Sequence, residues 1–376
     1  MNIIIYESSS FGGCYEYALQ LFRAYSESRH TDSVALLLPV NASTGGQGIQ
    51  KILMDDSKAG KLYFLRRQWR NPLILLRYLK KAEPSFVLLN DFEQITAPFW
   101  SPLYRLFLRK HVFGVFLHDA DRDAYPPSRA FSAFCMKKMM RTVSLALFHA
   151  PLPERSYYRE RPDLTYLPVQ HGLYPLPDPD PAFLKELRQE TKNFSRVFSI
   201  PGNIRAEKNY LLVFRALSKL PGPGLVIAGK PSSGSVSVEA LMEAAREAGV
   251  FDRIVWKLKY LSDAELSAVL NVSDLVVLYY SASFHSQSGI LHQVIPSGKP
   301  VLVSDLPSAM TSTVKMFNLG YTCKPDDPEA LTSTLGEFLA QPLLPDFTEA
   351  KKAMDWKVQV EQVLEILRSK PHSITD

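Results

Sequence analysis

The feature that most constrains this chain is a regular alternation of short apolar runs with stretches of helical spacing. The first run is Asn2–Tyr6, and the amphipathic stretch Tyr15–Tyr25 follows it. Apolar runs that alternate with helices are typical of parallel strands buried on both faces. Further strands of this first series are predicted at Ser33–Pro39, Phe86–Asn90, His111–His118, Ser144–His149 and Thr165–Pro168.

A proline cluster interrupts this pattern and divides the chain. Pro175, Pro177, Pro179 and Pro181 follow one another at every second position, which is incompatible with the interior of a sheet or a helix. We therefore predict a first domain over residues 1–170, a linker over 171–195, a second domain over 196–350 and a C-terminal helix within 351–376.

A second α/β series follows the linker. Its strands are predicted at Arg196–Pro201, Gly224–Ala228, Ile254–Trp256, Asp274–Tyr280, Pro300–Val303 and Gly320–Cys323. Its helices are predicted at Asn209–Lys219, Val238–Ala248, Ser262–Val272, Gly289–Ser297 and Pro328–Ala340. The fold class is α/β, with two tandem doubly wound (Rossmann-like) domains facing a central cleft, and ligands are expected at the carboxyl ends of the strands.

Charge points to an anionic partner. The 376 residues carry a formal net charge of +5, and the basic residues concentrate in the first half, above all in Leu65–Lys81. Cations interleaved with Trp69 and leucines favour a helix that lies on an anionic membrane surface, and a core helix with a solvated basic face is the equal alternative. Nucleic acid is disfavoured because the sequence has no helix-turn-helix pattern or paired zinc ligands.

Compartment and membrane topology are read from the same composition. The three cysteines are far apart in sequence and match no metal spacing, which favours a reducing, cytoplasmic setting. No signal peptide or transmembrane helix is predicted. The expected location is the cytoplasm, at the inner face of the cell membrane.

Two glycine-containing loops between a strand and a helix are candidate anion sites. Gly12 and Gly13 precede the first helix, where free N–H groups attract an anion, although a tight turn alone also explains them. In Gly202–Lys208, Arg205 and Lys208 are three residues apart and suit a diphosphate. A solvated helix start is the alternative for the second loop.

A third loop, within Phe284–Asp305, is the most informative. A buried strand ends in serines, and Ser288 and Gly289 open a helix. Backbone N–H groups at Ser288, Gly289 and Ile290, with serine hydroxyls such as that of Ser286, are predicted to bind an anion. Gln293 lies one turn beyond Gly289, where it is expected to hydrogen-bond a sugar hydroxyl.

The order of these features resembles the GT-B nucleotide-sugar glycosyltransferases, similar to glycosyltransferase family 4, over nearly the whole chain. The matching pieces are Gly12-Gly13, HDADRD, LPVQHGLYP, Gly202–Lys208, LVIAGK, the run from YLSDAELS to VLYYS, and SGKPVLVSD. The resemblance implies that the second domain holds a nucleoside diphosphate sugar, that the first holds the acceptor, and that the C-terminal helix crosses back to the first domain. It implies no metal and no cofactor beyond the donor.

The resemblance also implies residue roles. Gly12, Gly13 and Lys208 match positions at the donor diphosphate, and Gly202 opens the matching loop before Lys208. The family's arginine falls on Asn203, so Arg205 is expected to replace it. The family's two glutamates fall on His285 and Gln293.

The acceptor side of the predicted site lies at the end of the strand HVFGVFLHD. The resemblance places a histidine there, so His118 and Asp119, with His285 from the donor side, are the predicted catalytic residues, and an imidazole there can orient or deprotonate a hydroxyl. A hydrogen-bonded structural role is the alternative for His118. His149 and His171 are predicted to be structural.

The predicted activity is that of a retaining, hexosyltransferase-type glycosyltransferase. It would act on a glycan or lipid-linked acceptor, as in the assembly of cell-surface polysaccharide. Two alternatives remain open. One is a catalytically weak GT-B protein that binds nucleotide or a partner as a scaffold, and the other is a sugar-nucleotide epimerase.

Overall fold

The computed structural model describes residues 1–119, 121–122, 128–149, 152–159, 164–232, 236–284 and 289–369. The chain divides into two compact units. Unit 1 is Met1–His171 together with the C-terminal segment from Met354, and unit 2 is Gly172–Ala353.

Unit 1 is built on a parallel sheet whose central strands are apolar throughout. Its strands are β1 (Asn2–Tyr6), β2 (Ser33–Pro39), β3 (Ile49–Leu53), β4 (Phe86–Leu89), β5 (Val112–Leu117), β6 (Leu145–Phe148) and β7 (Thr165–Pro168). Within the described residues their order is β3-β2-β1-β4-β5-β6-β7. The order therefore reverses between β1 and β4, which pair in parallel from Ile3 opposite Phe86 to Tyr6 opposite Leu89.

Helices connect these strands and bury their apolar faces on the sheet. They are α1 (Gly13–Glu27), α2 (Lys61–Lys81), α3 (Ala97–Phe107), α4 (Arg129–Met140) and α5 (Ser156–Arg159). The start of α4 is capped by Ser128, whose hydroxyl accepts the Phe131 N–H at 3.2 Å.

Unit 2 repeats this architecture. Its strands are β8 (Val197–Pro201), β9 (Gly224–Ala228), β10 (Ile254–Lys257), β11 (Leu275–Leu278), β12 (Val301–Ser304) and β13 (Gly320–Cys323). All pair in parallel, in the order β10-β9-β8-β11-β12-β13, which reverses between β8 and β11. The predicted fold class, two parallel α/β domains in tandem, is confirmed.

The sequence did not suggest every helix of unit 2. They are α6 (Pro181–Thr191), α7 (Tyr210–Ser218), α8 (Val238–Glu247), α9 (Asp263–Val272), α10 (Gly289–Val294), α11 (Ala309–Met316), α12 (Pro328–Ala340) and α13 (Thr348–Ala353). Neither α11 nor α13 was predicted.

The reading of 171–195 as a linker requires correction, because α6 lies inside it. Asp180 caps this helix by accepting the Phe183 N–H at 2.7 Å, and Pro181 occupies the first helical position, where its missing N–H carries no penalty. Phe183 and Leu187 are buried in a core cluster of unit 2. The last proline of the cluster therefore starts a helix.

The C-terminal helix α14 (Trp356–Ser369) lies against α1 within unit 1. The Tyr17 hydroxyl donates to Gln359 Oε1 at 2.6 Å, and the rings of Tyr17 and Trp356 meet edge to face with centroids 4.7 Å apart. Ser28 donates to Glu361 at 2.9 Å. Aromatic packing and hydrogen bonds thus hold α14 against α1 in unit 1.

Candidate functional site

Polar residues of unit 1 gather where its strands end. Glu7 follows β1, Asn90 follows β4 and His118 follows β5, and these three strands are neighbours in the sheet. Because all strands of the sheet run in the same direction, their carboxyl ends form one edge, at the point where strand order reverses.

These three side chains form a hydrogen-bonded chain. The Asn90 amide nitrogen donates to Glu7 Oε2 at 2.5 Å and to the Cys14 carbonyl at 2.9 Å. The Cys14 carbonyl can only accept, which fixes the orientation of the amide and leaves the Asn90 oxygen facing His118 Nε2 at 3.0 Å. His118 therefore carries its proton on Nε2 and presents Nδ1 as an acceptor.

Burial keeps the His118 imidazole and the Glu7 carboxyl uncharged. It lowers the pKa of His118 well below its usual value, with smaller effects from the charges of His171 and Arg122. It also raises the pKa of Glu7 to about 8, and the Asp91 carboxylate adds to this rise. The His118 imidazole is accordingly neutral at physiological pH.

A ring cluster surrounds the imidazole. His118 stacks on Phe116 with centroids 4.4 Å apart and meets the edge of Tyr17 at 4.8 Å. His149 donates from Nδ1 to the Val169 carbonyl, 3.0 Å away, and packs on His171 with ring centroids 4.8 Å apart. His149 and His171 thus pack in the same cluster as His118, and their structural role stays a prediction.

Gly12 and Gly13 lie at the amino end of α1, beside this edge. Gly12 has φ +87°, a conformation that favours glycine, and a Cβ at either glycine would meet nothing within 4 Å. The amino end of α1 is thus open in front of both residues. Neither glycine is needed for close packing within the described structure.

The other two predicted catalytic residues do not join these buried side chains within the described structure. Asp119 is exposed, and its Oδ1 accepts the Asp121 N–H at 3.2 Å. His285 lies outside the described residues, as do Ser286 and Ser288.

Unit 2 places its candidate residues after β8 and β11, again where strand order reverses. Lys208 is buried, and its Nζ donates to the Pro201 carbonyl at 2.6 Å and to the Gly202 carbonyl at 3.0 Å. Burial, reinforced by the nearby Arg205 charge, lowers the pKa of Lys208 to about 7. The ammonium therefore exchanges its proton close to neutral pH.

The Gly202 loop lies next to Lys208 and Ile290. Gly202 has φ +84°, and a Cβ there would lie 3.5 Å from Lys208 Nζ and 3.7 Å from Ile290 Cδ1. On the other side, a Cβ at Gly229 would lie 2.2 Å from the Gly202 carbonyl oxygen, so the loop passes directly over the end of β9. Two predicted anion sites, Gly202–Lys208 and the start of α10, are therefore adjacent.

The remaining predicted donor residues lie around this point. Asn203, Arg205 and Gly289 are exposed, whereas Ile290 and Gln293 are half-buried. Within the described residues, the Gln293 side chain forms no hydrogen bond with the Gly202 loop.

Sequence reasoning missed two elements of the site. In unit 1 it missed Glu7 and Asn90, although a polar residue directly after a buried strand was an available signal. In unit 2 it missed Asp326, which accepts the Asn209 amide and the Ala282 N–H, both at 2.8 Å, and so ties the loop after β11 to the start of α7. No local pattern marks that long-range contact.

Part of the chain matches a known protein family. Residues 185–357 match the family model "Glycosyl transferases group 1". A D-inositol 3-phosphate glycosyltransferase of Mycobacterium ulcerans is 38% identical over 100 residues, which are 26% of this chain and 20% of that protein. The chain thus spans about a fifth of the length of the curated relatives it matches.

Two solved structures resemble the whole chain. The structure of Anabaena HepE in complex with UDP and glucose has a TM-score of 0.71 at 16% identity, with 98% of this chain and 100% of that chain covered. Sucrose-phosphate synthase from Thermosynechococcus elongatus has a TM-score of 0.71 at 12% identity, with 98% and 99% covered. At such identities the likeness shows a shared fold.

The whole chain shares the GT-B fold, and the match to the glycosyl transferases group 1 model covers just under half of it. Residues 185–357, which include Lys208 and α10, form its glycosyl transferases group 1 region. The predicted GT-B fold is confirmed, and the assignment to glycosyltransferase family 4 stays a prediction.

The described residues also lack two kinds of feature. None of the described helices has both the length and the apolar character needed to cross a bilayer. In the same residues, no group of three or more histidine, cysteine, aspartate and glutamate side chains is arranged to hold a metal ion.

The raised pKa of Glu7 predicts how stability depends on pH. In the folded state the pKa of Glu7 is about 8, against an ordinary value of 4.5. The contribution of Glu7 to folding stability is therefore fully present below about pH 4.5 and is lost as the pH rises to about 8. His118 and His149 have lowered pKa values, so they make stability depend on pH only below their ordinary pKa of 6.5. In that range, stability falls as the pH falls. Between pH 6.5 and 8, we therefore expect the melting temperature of unit 1 to fall with pH.

Glu7→Gln tests this expectation, because glutamine resembles the protonated carboxyl and does not titrate. The fall in melting temperature between pH 6.5 and 8 should become shallower, with a residual slope from buried Glu93, whose pKa burial raises to about 7. The exposed Glu83→Gln removes a surface charge from the same unit and should follow the parent protein. Equal slopes for Glu7→Gln and the parent protein would show that Glu7 is ionised in the folded state.

Proposed function

We propose that this chain transfers a sugar from a nucleoside diphosphate donor to an acceptor hydroxyl, with unit 2 binding the donor and unit 1 the acceptor. The observation that carries the proposal is the buried Lys208 ammonium, which is held by two carbonyl oxygens at the end of β8. An ammonium removed from water gains more from an anion than an exposed one, since the local dielectric is low.

The roles on the donor side follow from the positive charge of Lys208. During transfer the bond between the anomeric carbon and the phosphate oxygen breaks, and the leaving diphosphate gains negative charge. Lys208 and Arg205, with main-chain N–H groups at Gly289 and Ile290, are the groups that we assign to that charge, a preorganised electrostatic stabilisation. The UDP complex of HepE makes a UDP-sugar the first donor to examine.

The acceptor side rests on His118. The Nε2–H of His118 donates to Asn90, which leaves Nδ1 as an acceptor, and the lowered pKa makes the imidazole a weak base. We therefore assign His118 the task of orienting the acceptor hydroxyl, whose proton leaves with the diphosphate as the new bond to the anomeric carbon forms. Transfer with retention at that carbon is part of the proposal, on the strength of the family resemblance.

The surface of unit 1 supports a lipid-linked acceptor at an anionic membrane. The segment Leu65–Lys81 lies within α2, whose inner face is core and whose outer face leaves large apolar side chains in solvent. Leu62 is 85% exposed and Trp69 is 45% exposed, and the Trp69 ring lies 4.6 Å from that of the exposed Phe99 on α3. Exposed apolar and basic residues on one surface fit a lipid interface.

The three cysteines agree with a cytoplasmic site of action. Cys14, Cys135 and Cys323 are all free thiols, the state expected in a reducing compartment. We place the enzyme at the inner face of the cell membrane.

Lys208→Met tests the donor site. Losing one charged hydrogen-bond donor should weaken UDP binding about 10-fold to 100-fold. A thermal-shift panel of UDP-, GDP- and ADP-sugars measures this, and the exposed Lys219→Met, with the same loss of charge one helix along, is the control. If Lys208→Met kept the full nucleotide-induced shift, Lys208 would not contact the diphosphate.

The lowered pKa of Lys208 gives a second, independent test. A bound diphosphate favours the ammonium, so binding above pH 7 must be accompanied by proton uptake. The dissociation constant for UDP should therefore rise by up to about tenfold per pH unit above pH 7, and calorimetric heats should depend on the ionisation heat of the buffer. In Lys208→Met this proton uptake should disappear, and its persistence would assign the proton to another group.

His118→Phe tests the acceptor side, because it keeps a ring on Phe116 and removes the nitrogen atoms. We expect transfer to fall about 10-fold to 100-fold through loss of orientation, with the UDP-induced thermal shift unchanged. Release of UDP from UDP-sugars is measured with and without a panel of hydroxyl acceptors. His30→Gln, at the surface of the same unit, is the control, and parent-like transfer by His118→Phe would exclude the proposed role. Rapid conversion of donor without acceptor would instead favour an epimerase.

A further inference from the structure

Unit 1 contains a cavity that the sugar-transfer proposal does not use. It has a volume of about 410 Å³ and lies between the edge strand β3 and helix α2. Strand residues such as Ile52 and helix residues such as Ile74 line it. This size is in the range of small-molecule sites, which are usually about 300–1,000 Å³.

Positive charge dominates the cavity. Lys58, Arg70 and Arg77 line it, against the single carboxylate of Asp55. Asp55 accepts from the Ser57 hydroxyl at 2.6 Å and from the Ser57 N–H at 2.9 Å, and its nearest cation, Lys58, is 3.9 Å away. The Asp55 carboxylate therefore has partners of its own.

The two arginines are available to an anion. They are seven residues apart on α2, which places them on one face two turns apart. Both are exposed, and within the described part of the chain no ion pair joins either of them to a carboxylate. Guanidinium groups placed in this way match the oxygens of a phosphate group.

An exposed apolar stripe borders the cavity. Leu62, Leu65, Trp69 and Leu73 follow one another on α2 at spacings of three and four residues, and all four side chains are exposed. Leu73 also lines the cavity, so the stripe reaches its mouth. The exposed Phe99 extends this surface onto α3 through its ring contact with Trp69.

We infer that this cavity binds the phosphate headgroup of an anionic membrane lipid whose acyl chains lie along the apolar stripe. Cationic walls beside an exposed apolar track fit an amphiphile better than a free anion, which would leave the track in water. The inference deepens the membrane contact proposed above and rests on it, but it does not depend on sugar transfer. It makes the contact selective for phosphate-bearing headgroups.

The test compares two double variants with the same change of net charge. Arg70→Gln with Arg77→Gln removes the cavity cations, whereas Arg66→Gln with Lys81→Gln removes two exposed cations of α2 that do not line the cavity. The probes are soluble dihexanoyl phosphatidic acid below its micellar concentration, dihexanoyl phosphatidylcholine, inorganic phosphate, and phosphatidylcholine vesicles with and without phosphatidic acid.

We expect the cavity variant to bind soluble phosphatidic acid at least about tenfold more weakly than the parent protein, since two charged contacts are lost. The control variant should bind it as the parent protein does and lose only part of its vesicle binding. UDP-induced thermal shifts should be the same in all three proteins, so a failed donor site would be recognised separately.

Two results would overturn the inference. Equal losses of vesicle binding in both variants, with soluble phosphatidic acid unaffected, would show that α2 attracts membranes by overall charge without a headgroup site. Inorganic phosphate binding as tightly as dihexanoyl phosphatidic acid would show a site for the free anion.

Discussion

Both candidate sites depend on the parallel pairing of every strand in the two sheets. A parallel strand cannot return to its neighbour by a tight turn, so the chain leaves at the carboxyl edge and crosses a face of the sheet before it re-enters. The crossings go in opposite directions on either side of β1 and of β8. The connections therefore move apart at the ends of these two strands. The polar residues that follow the strand ends are not covered by a helix.

Each sheet uses this exposed edge differently. In unit 1 the edge holds neutral groups, because Glu7 and His118 are both driven toward their uncharged forms and share Asn90 between them. In unit 2 it holds a cation. An uncharged, oriented acceptor suits a hydroxyl, and a desolvated ammonium suits a diphosphate, so the two edges differ as the two substrates of a sugar transfer differ.

The sequence predicted elements best where one signal dominated. Strands β1, β2, β7, β9 and β13 have the predicted bounds, because each is a short run rich in aliphatic, aromatic or β-branched residues. The edge strand β3 was missed because its middle residues, Gln50 and Lys51, are polar and face solvent. Helix α11 was missed because Thr311, Ser312 and Thr313 have weak helix propensity, and its Ser308 cap becomes apparent only in the fold.

Site residues were predictable only as far as local motifs reach. The loop glycines and Lys208 lie in a short segment with its own signature, and the structure brings that segment next to Ile290, as a shared anion site requires. Asn90 is more than seventy residues from both Glu7 and Cys14, so its role depends on which strands become neighbours. Strand order is a property of the whole sheet, and no local sequence pattern specifies it.

On the proposed function, a ligand explains Lys208 better than stability does. Burying an ammonium costs several kcal/mol, and two carbonyl dipoles offset only part of that cost. Replacement by an apolar side chain of similar length would remove the cost, so the fold gains little from a lysine here. A diphosphate adds full negative charges to the carbonyl dipoles, and the desolvation of Lys208 then strengthens binding.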